Sequence, residues 1–192
     1  MPSDARAAMI DAAIRILAED GYQATSFTEV LARSGAPRGS IYHHFPGGKD
    51  ELIAAALDVQ IARTFDRLGT LSGQDPVIVV QAFLDGWRRG LELTDFAVGC
   101  SLLAVTTSAG PGELRAKAGV LFRDWRALLA RLLRDGGADP ASAAALAAQL
   151  LAATEGAVAI SRAERSFEAY DLVAAQLLRD AATLTADRRA AD

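Results

Sequence analysis

The sequence predicts an all-α protein of nine helices, arranged as a small N-terminal head and a larger helical body. Three observations carry that prediction. Apolar residues recur with the helical period through almost every segment, and no stretch shows the alternation of a strand. Helix starts are marked by Asp-Pro and Ser-x-x-Glu signals, and helix ends by glycine or proline. The 192 residues are 51% hydrophobic and 23% charged, enough apolar surface for a packed core and too much for a disordered chain.

Each element has its own justification. Ile10, Ile14 and Leu17, with Ala7 and Ala13, form one face of a first helix ending near Gly21. Ser26-Phe27-Thr28-Glu29 reads as a capping box, with Ser26 capping and Glu29 reaching back. It opens a second helix to about Ser34, stopped by Gly35. Pro37 suits the first position of a third helix, because its missing N–H is harmless there. That helix ends at Phe45, before Pro46. Lys49 to Leu68 is a longer amphipathic helix with Ile53, Leu57, Ile61, Phe65 and Leu68 near one stripe. Asp75-Pro76 opens the next, which carries Val77, Val80, Leu84, Trp87 and Leu91. After an irregular apolar stretch from Phe96 to Cys100, a short helix covers Ser101 to Ser108 and stops at Gly110-Pro111. Leu114, Ala118, Leu121, Trp125, Leu128 and Leu132 mark a long helix ending at Gly136-Gly137. Asp139-Pro140 starts another, to about Glu164, and Ser166 caps the last. Ala186 to Asp192 is expected to fray.

Composition removes several function classes. The single cysteine, Cys100, allows no internal disulfide and fits a reducing, cytoplasmic setting. The N-terminal residues lack a signal-peptide apolar core, and no run of about 18 uncharged apolar residues reads as a clear membrane span, so no membrane partner is expected. Both histidines, His43 and His44, are neighbours, and neighbours on a helix point about 100° apart, a poor metal pair. The body has no histidine and no Gly-rich phosphate loop, so no catalytic residue, metal or cofactor is expected; an enzyme remains only a remote alternative. Net charge is −4, yet residues 21–49 hold Arg33, Arg38 and Lys49 against Glu29, with both histidines in reserve. A small basic patch on an acidic chain suits local contact with nucleic acid.

Helical phase sharpens that reading. With Ile41 at the centre of the buried face of a helix from Pro37 to His44, Gly39 and His43 fall on the most exposed arc and Ser40 and Tyr42 flank them. Arg38 and His44 lie nearer the buried side, and Phe45 turns inward. A glycine inside a helix costs about 0.5–1 kcal/mol against alanine, a cost offset if another surface approaches the backbone. Two helices joined by a tight Gly-containing turn, the second exposing such an arc, make a helix-turn-helix, whose second helix fits a major groove. Tyr42 and Ser40 can bond phosphates or base edges, His43 can donate to a phosphate, and Arg38 can reach guanine or a phosphate. Lys49 and the open N–H groups of its helix form an anion site. His44 reads equally well as a half-buried structural residue.

Residues 5–60 resemble the TetR family of bacterial transcriptional regulators. The resemblance is carried by AAIRILAEDGYQATSFTEVLARSG followed by APRGSIYHHFPGGKDEL. It implies a nine-helix fold divided into a DNA-binding domain over 1–47 and a ligand-binding and dimerisation domain over 48–192. It implies DNA contacts at Thr28, Arg38, Ser40, Tyr42, His43, His44 and Lys49, with Gly39 admitting the close approach. Pro37, where many members have a hydroxyl cap, and Leu31, where alanine is common, depart from the pattern. Ala36-Pro37, the Pro-Gly-Gly before Lys49 and Gly99-Cys100 resemble the branch of lincomycin-resistance and flavonoid-responsive regulators.

The resemblance also implies an inducer-binding body that dimerises through its last two helices. The residues support each point differently. Ala152, Gly156, Ala159 and Ala163 form a stripe of small residues that lets another backbone approach, and Phe167, Leu172 and Leu178 extend it on the final helix. The same helices could be core helices of a monomer. Phe83, Trp87, Phe122 and Trp125 put aromatic rings on two helices, with Cys100 and Thr106 as further candidates for a ligand site. Such rings also describe a filled core. The expected partners are a double-stranded DNA operator, a small apolar or aromatic inducer and a second copy of the chain, acting as a repressor. A regulator without a natural ligand, or an activator, is the alternative.

Overall fold

The computed structural model describes residues 2–189, with side chains over 5–184. The described residues form ten α-helices and no strand. These are α1 Pro2–Glu19, α2 Gly21–Ala24, α3 Phe27–Ser34, α4 Ser40–His44, α5 Lys49–Gly69, α6 Pro76–Leu93, α7 Ser101–Ser108, α8 Glu113–Asp135, α9 Pro140–Glu164 and α10 Glu168–Arg189. The all-α expectation holds. The additional element is α2, a single turn entered through Gly21 at φ 86°. Four residues carry no apolar period of their own, so periodicity does not reveal it. The last helix runs through Ala186 to Arg189, four residues into the stretch expected to fray; residues 190–192 lie outside the described residues.

Caps set the helix limits where the sequence marks them. The Asp75 carboxylate accepts the Val77 N–H at 2.9 Å, with Pro76 at the first helical position. Asp139 accepts from Ala141 and Ser142, both at 3.0 Å, which holds its carboxyl below the usual carboxylate range. Ser166 accepts from the Glu168 N–H at 3.2 Å.

The chain forms two compact units. The first comprises residues 1–63 and 97–122. Its core joins Met9, Ile10, Ala12, Ala13 and Ile16 of α1 to Val30, Ile41, Phe45, Leu52 and Ala56. Helix α7 packs on α1 and α2, and Gly99 donates its N–H to Ala18 O at 2.7 Å. The second unit comprises residues 64–96 and 123–192. There α10 packs on α9 and α6, and the buried Tyr170 hydroxyl donates to Leu84 O at 2.6 Å. By length and composition α9 is long and apolar enough to cross a membrane, a test that a core helix also passes. Within this unit it buries one face, including Ala147, Leu150, Ala157 and Ser161, and exposes another.

Two glycines of the second unit have opposite environments. A Cβ on Gly136 would run into the Gln74 carbonyl oxygen and come within 3.0 Å of Pro76 Cδ. A Cβ on Gly86, inside α6, would meet nothing within 4 Å. Gly136→Ala is therefore expected to destabilise the fold by about 1–3 kcal/mol through overpacking. Gly86→Ala should stabilise it by about 0.5–1 kcal/mol through helix propensity. Thermal or denaturant unfolding of the two variants checks the opposite signs.

Candidate nucleic-acid interface

Helix α3 starts at Ser26, whose hydroxyl oxygen accepts the Glu29 N–H at 3.2 Å. It ends at Gly35, in the left-handed region at φ 67°, where glycine avoids Cβ strain. The return arm of the expected capping box is not made. The Ser26 N–H instead donates to Ala24 O at 2.7 Å, because α2 places a carbonyl beside it. The Glu29 carboxylate accepts Arg33 Nε at 2.7 Å.

Helix α4 begins later than expected. The Ser40 N–H and hydroxyl both donate to Pro37 O, at 2.9 and 2.7 Å, so residues 37–40 close a turn and only Ser40–His44 are helical. Ile41 and Phe45 are fully buried and anchor the helix in the core of the first unit. Tyr42 is 69% exposed, with its ring set edge-on against Phe27 at 5.4 Å between centroids. Arg38, Gly39 and His43 are exposed, while Ser40 and His44 are half-buried. Arg38 is more exposed than helical phase implies, because it belongs to the turn. A Cβ at Gly39 would meet nothing within 4 Å, so the protein's own packing does not demand glycine there. His44 lies against both His43 and Phe45, with ring centroids 5.4 and 6.5 Å away. Thr28 is exposed near the start of α3.

The charge of this surface differs from a count over residues 21–49. Arg33 donates to Glu29, to Glu19 at 3.1 Å and to Asp20 at 2.6 Å, and these carboxylates raise its pKa, Glu29 most. Glu19 and Asp20 lie just outside the counted window, so Arg33 belongs to a local ion network. Arg38 and Lys49 supply the remaining formal positive charge of that segment.

Lys49, the first residue of α5, is half-buried. Its ammonium lies 4.1 Å from the centre of the Tyr22 ring and donates to Gln23 O at 3.4 Å. Burial lowers its pKa, opposed by the charge of Asp50. The Tyr22 hydroxyl donates to Asp50 Oδ1 at 2.9 Å; burial, then that bond, raises its pKa. The Glu51 carboxylate accepts the Gly47 N–H at 2.7 Å, fixing the turn that leads into α5. Sequence spacing gives no sign of Tyr22 or Gln23, which lie on a separate one-turn helix.

In the second unit Phe83, Trp87 and Trp125 form one aromatic cluster. Trp87 stacks on Trp125 with centroids 6.4 Å apart, and Phe83 lies 5.9 Å from Trp125. Trp125 is buried and its indole N–H has no partner. The other expected ligand residues, Cys100, Thr106 and Phe122, belong to the first unit. Cys100 is buried, and the Thr106 hydroxyl donates to Leu102 O at 2.8 Å. The small stripe of α9, Ala152, Gly156, Ala159 and Ala163, is exposed, as is Ile160. On α10 Leu172 is exposed and Leu178 half-buried, while Phe167 packs at 4.7 Å from Phe96.

Known proteins resemble both parts of the chain. Residues 9–56 match the family described as bacterial regulatory proteins, tetR family. Residues 76–176 match the C-terminal domain of LmrA/YxaF-like transcriptional regulators. An uncharacterized HTH-type transcriptional regulator of Mycobacterium tuberculosis is 34% identical over 179 residues, spanning 90% of this chain and 91% of its own. The HTH-type transcriptional regulator LmrA of Bacillus subtilis is 29% identical over 162 residues, 82% of this chain and 86% of its own. The crystal structure of a regulatory protein TetR from Rhodobacter sphaeroides superposes with a TM-score of 0.80 at 24% identity, over 92% of this chain and 98% of that one. With its helix-turn-helix and its matched C-terminal region, the chain belongs to the TetR family of DNA-binding transcriptional regulators, in the LmrA/YxaF-like branch.

Proposed function

We propose that the protein is a cytoplasmic, dimeric repressor that grips a pseudo-palindromic operator and releases it when a small apolar or aromatic ligand binds the body. The observation that carries the DNA reading is the α4 surface. Two fully buried anchors, Ile41 and Phe45, hold a five-residue helix whose open side presents Arg38, Gly39, Tyr42 and His43. Tyr42, at 69% exposed, offers its ring and hydroxyl to a partner outside the chain. Residues 1–47 read DNA and the remainder carries the dimer and ligand functions. Thr28, Ser40, His44 and Lys49 complete the contact set, Lys49 through a phosphate.

The dimer reading is supported by α9. Its exposed stripe of Ala152, Gly156, Ala159 and Ala163, with Ile160 beside it and Leu172 and Leu178 on α10, is an apolar face that a second copy would cover. Paired in this way, two α4 helices about 34–36 Å apart would meet successive major grooves. The ligand reading is supported by Phe83, Trp87 and Trp125. A buried indole N–H without an acceptor costs about 1–3 kcal/mol, and a ligand carbonyl or ether would remove that cost. Cys100, Thr106 and Phe122 stay candidates on sequence grounds alone. An inducer acts only through its difference in affinity between the DNA-competent and the released state.

Selection from random duplexes should enrich an inverted repeat, with affinity falling as salt rises by nearly one logarithmic unit for each phosphate neutralised. Tyr42→Ala should weaken operator binding while circular dichroism stays native. Arg38→Ala should cost about 1–3 kcal/mol if its contact is bidentate to a base. An absence of any enriched repeat would remove the DNA assignment. Gly156→Leu should leave the isolated fold intact, since the site is open within one chain, yet dissociate the dimer in sedimentation and lower operator affinity with it. An unchanged dimer would place the interface elsewhere. Both tryptophans, Trp87 and Trp125, lie in the cluster, so a bound aromatic ligand should quench intrinsic fluorescence saturably and weaken operator binding by the factor that DNA weakens the ligand. Quenching without that reciprocity would separate the pocket from the switch.

A further inference from the structure

We infer that Tyr22 is a positioning residue for DNA binding, sorting the cation from the anion at the start of α5 so that Lys49 is held ready for a phosphate. The inference rests on the DNA-binding reading above and concerns a residue outside the helix-turn-helix.

A phosphate approaching the first turn of α5 meets one cation and two anions in sequence, Lys49, Asp50 and Glu51. A free lysine there would sample many rotamers and pair with its acidic neighbours. The structure prevents both. The face of the Tyr22 ring, which carries the negative end of its quadrupole, lies 4.1 Å from the Lys49 ammonium. The Tyr22 hydroxyl, at the ring's edge, donates to Asp50 Oδ1 at 2.9 Å and occupies that carboxylate. Glu51 is occupied separately by the Gly47 N–H at 2.7 Å. One aromatic side chain thus binds neighbouring residues of opposite charge through different parts of itself.

The ammonium keeps capacity for a further partner. It has three N–H donors; one serves Gln23 O at 3.4 Å and one faces the ring. The third is left for an oxygen outside the chain. Because the ring and the Gln23 carbonyl already restrict the long side chain, less rotamer entropy is lost when a phosphate arrives. Burial lowers the Lys49 pKa, and the charge of Asp50 opposes that shift. Tyr22 therefore acts on DNA through Lys49 and need not touch DNA itself.

The experiment compares the full-length wild type, Tyr22→Phe, Tyr22→Leu, Lys49→Ala and the double variant Tyr22→Leu/Lys49→Ala on the selected operator over a range of salt. Tyr22→Leu should weaken binding about three- to tenfold and reduce the salt slope by nearly one unit per subunit, as Lys49→Ala does. Tyr22→Phe keeps the ring and should restore the slope, losing only the part that depends on Asp50. The double variant should bind no more weakly than Lys49→Ala, since both remove the same contact. A full salt slope in Tyr22→Leu, or losses that simply add in the double variant, would overturn the inference. A second arm needs neither DNA nor the leucine variant to fold. The chain has only two lysines, Lys49 and Lys117, and Lys117 pairs with Asp58 at 2.7 Å. In the wild type and Tyr22→Phe one lysine side chain should show methylene protons shifted upfield by the ring, and Lys49→Ala should abolish that signal. Two ordinary lysine signals in the wild type would sink the geometry, whatever DNA does. A shifted lysine in a wild type that selects no operator would instead overturn the DNA reading, and the role of Tyr22 with it.

Discussion

The recognition surface depends on the burial of two side chains, Ile41 and Phe45. A helix of five residues cannot sustain itself, because fixing the first turn is unfavourable and short helices are marginal in water. Both side chains are fully buried in a core built from α1, α3 and α5, through residues such as Met9, Val30 and Leu52. Full burial of one such side chain contributes about 1.5–3 kcal/mol, more than the helix could recover from its own hydrogen bonds. The phase of α4 follows from these anchors. With Ile41 and Phe45 inward, Tyr42 and His43 have nowhere to go but out. The exposed arc is a consequence of core packing, and its precision is that of the core.

The second layer of organisation is electrostatic, and it works by occupying acids. Glu19, Asp20 and Glu29 converge on Arg33, which ties the end of α1 to α3. Asp50 is held by Tyr22 and Glu51 by the turn before α5. Individually, exposed ion pairs contribute little to stability. Their larger effect here concerns what remains. Five carboxylates near the recognition elements already have partners, while Arg38 and Lys49 keep positive charge near α4 and the start of α5. An overall charge of −4 is therefore compatible with a local surface suited to an anionic polymer.

Much of this was legible in the sequence, and the failures have physical causes. Long helices with Asp-Pro starts, α6 and α9, appear where their caps place them, because the cap residue and the first apolar turn lie next to each other in sequence. The start of α4 was misplaced by three residues because Pro37 serves as a turn carbonyl acceptor as readily as a first helical residue. The single turn α2 was invisible because it has no period. At the site, the α4 arc was readable from helical phase, since that depends on local geometry and one buried residue. The roles of Tyr22, Gln23 and Arg33 were not readable. Each depends on a partner 13 to 28 positions away, brought close only by packing. In the body, periodicity found the aromatic residues but could not reveal that the Trp125 N–H lacks an acceptor, which is a property of its surroundings.

The two units also differ in where they store backbone strain. In the first unit the described residues with positive φ are glycines, Gly21, Gly35 and Gly48, which adopt that conformation without Cβ strain. In the second unit Asp95, Phe96 and Arg165 adopt it, at φ 50°, 63° and 52°. For residues with a Cβ that conformation costs about 1–2 kcal/mol each. The three are bound to one another: Arg165 donates to Asp95 O at 3.2 Å, pairs with the Asp95 carboxylate and lies over the Phe96 ring at 5.9 Å. Phe96 in turn packs on Phe167, whose ring also carries Arg88, itself paired with Asp171 and Glu92. The strain is thus sustained by contacts between the ends of α6, α9 and α10, and no one of these helices could hold it alone.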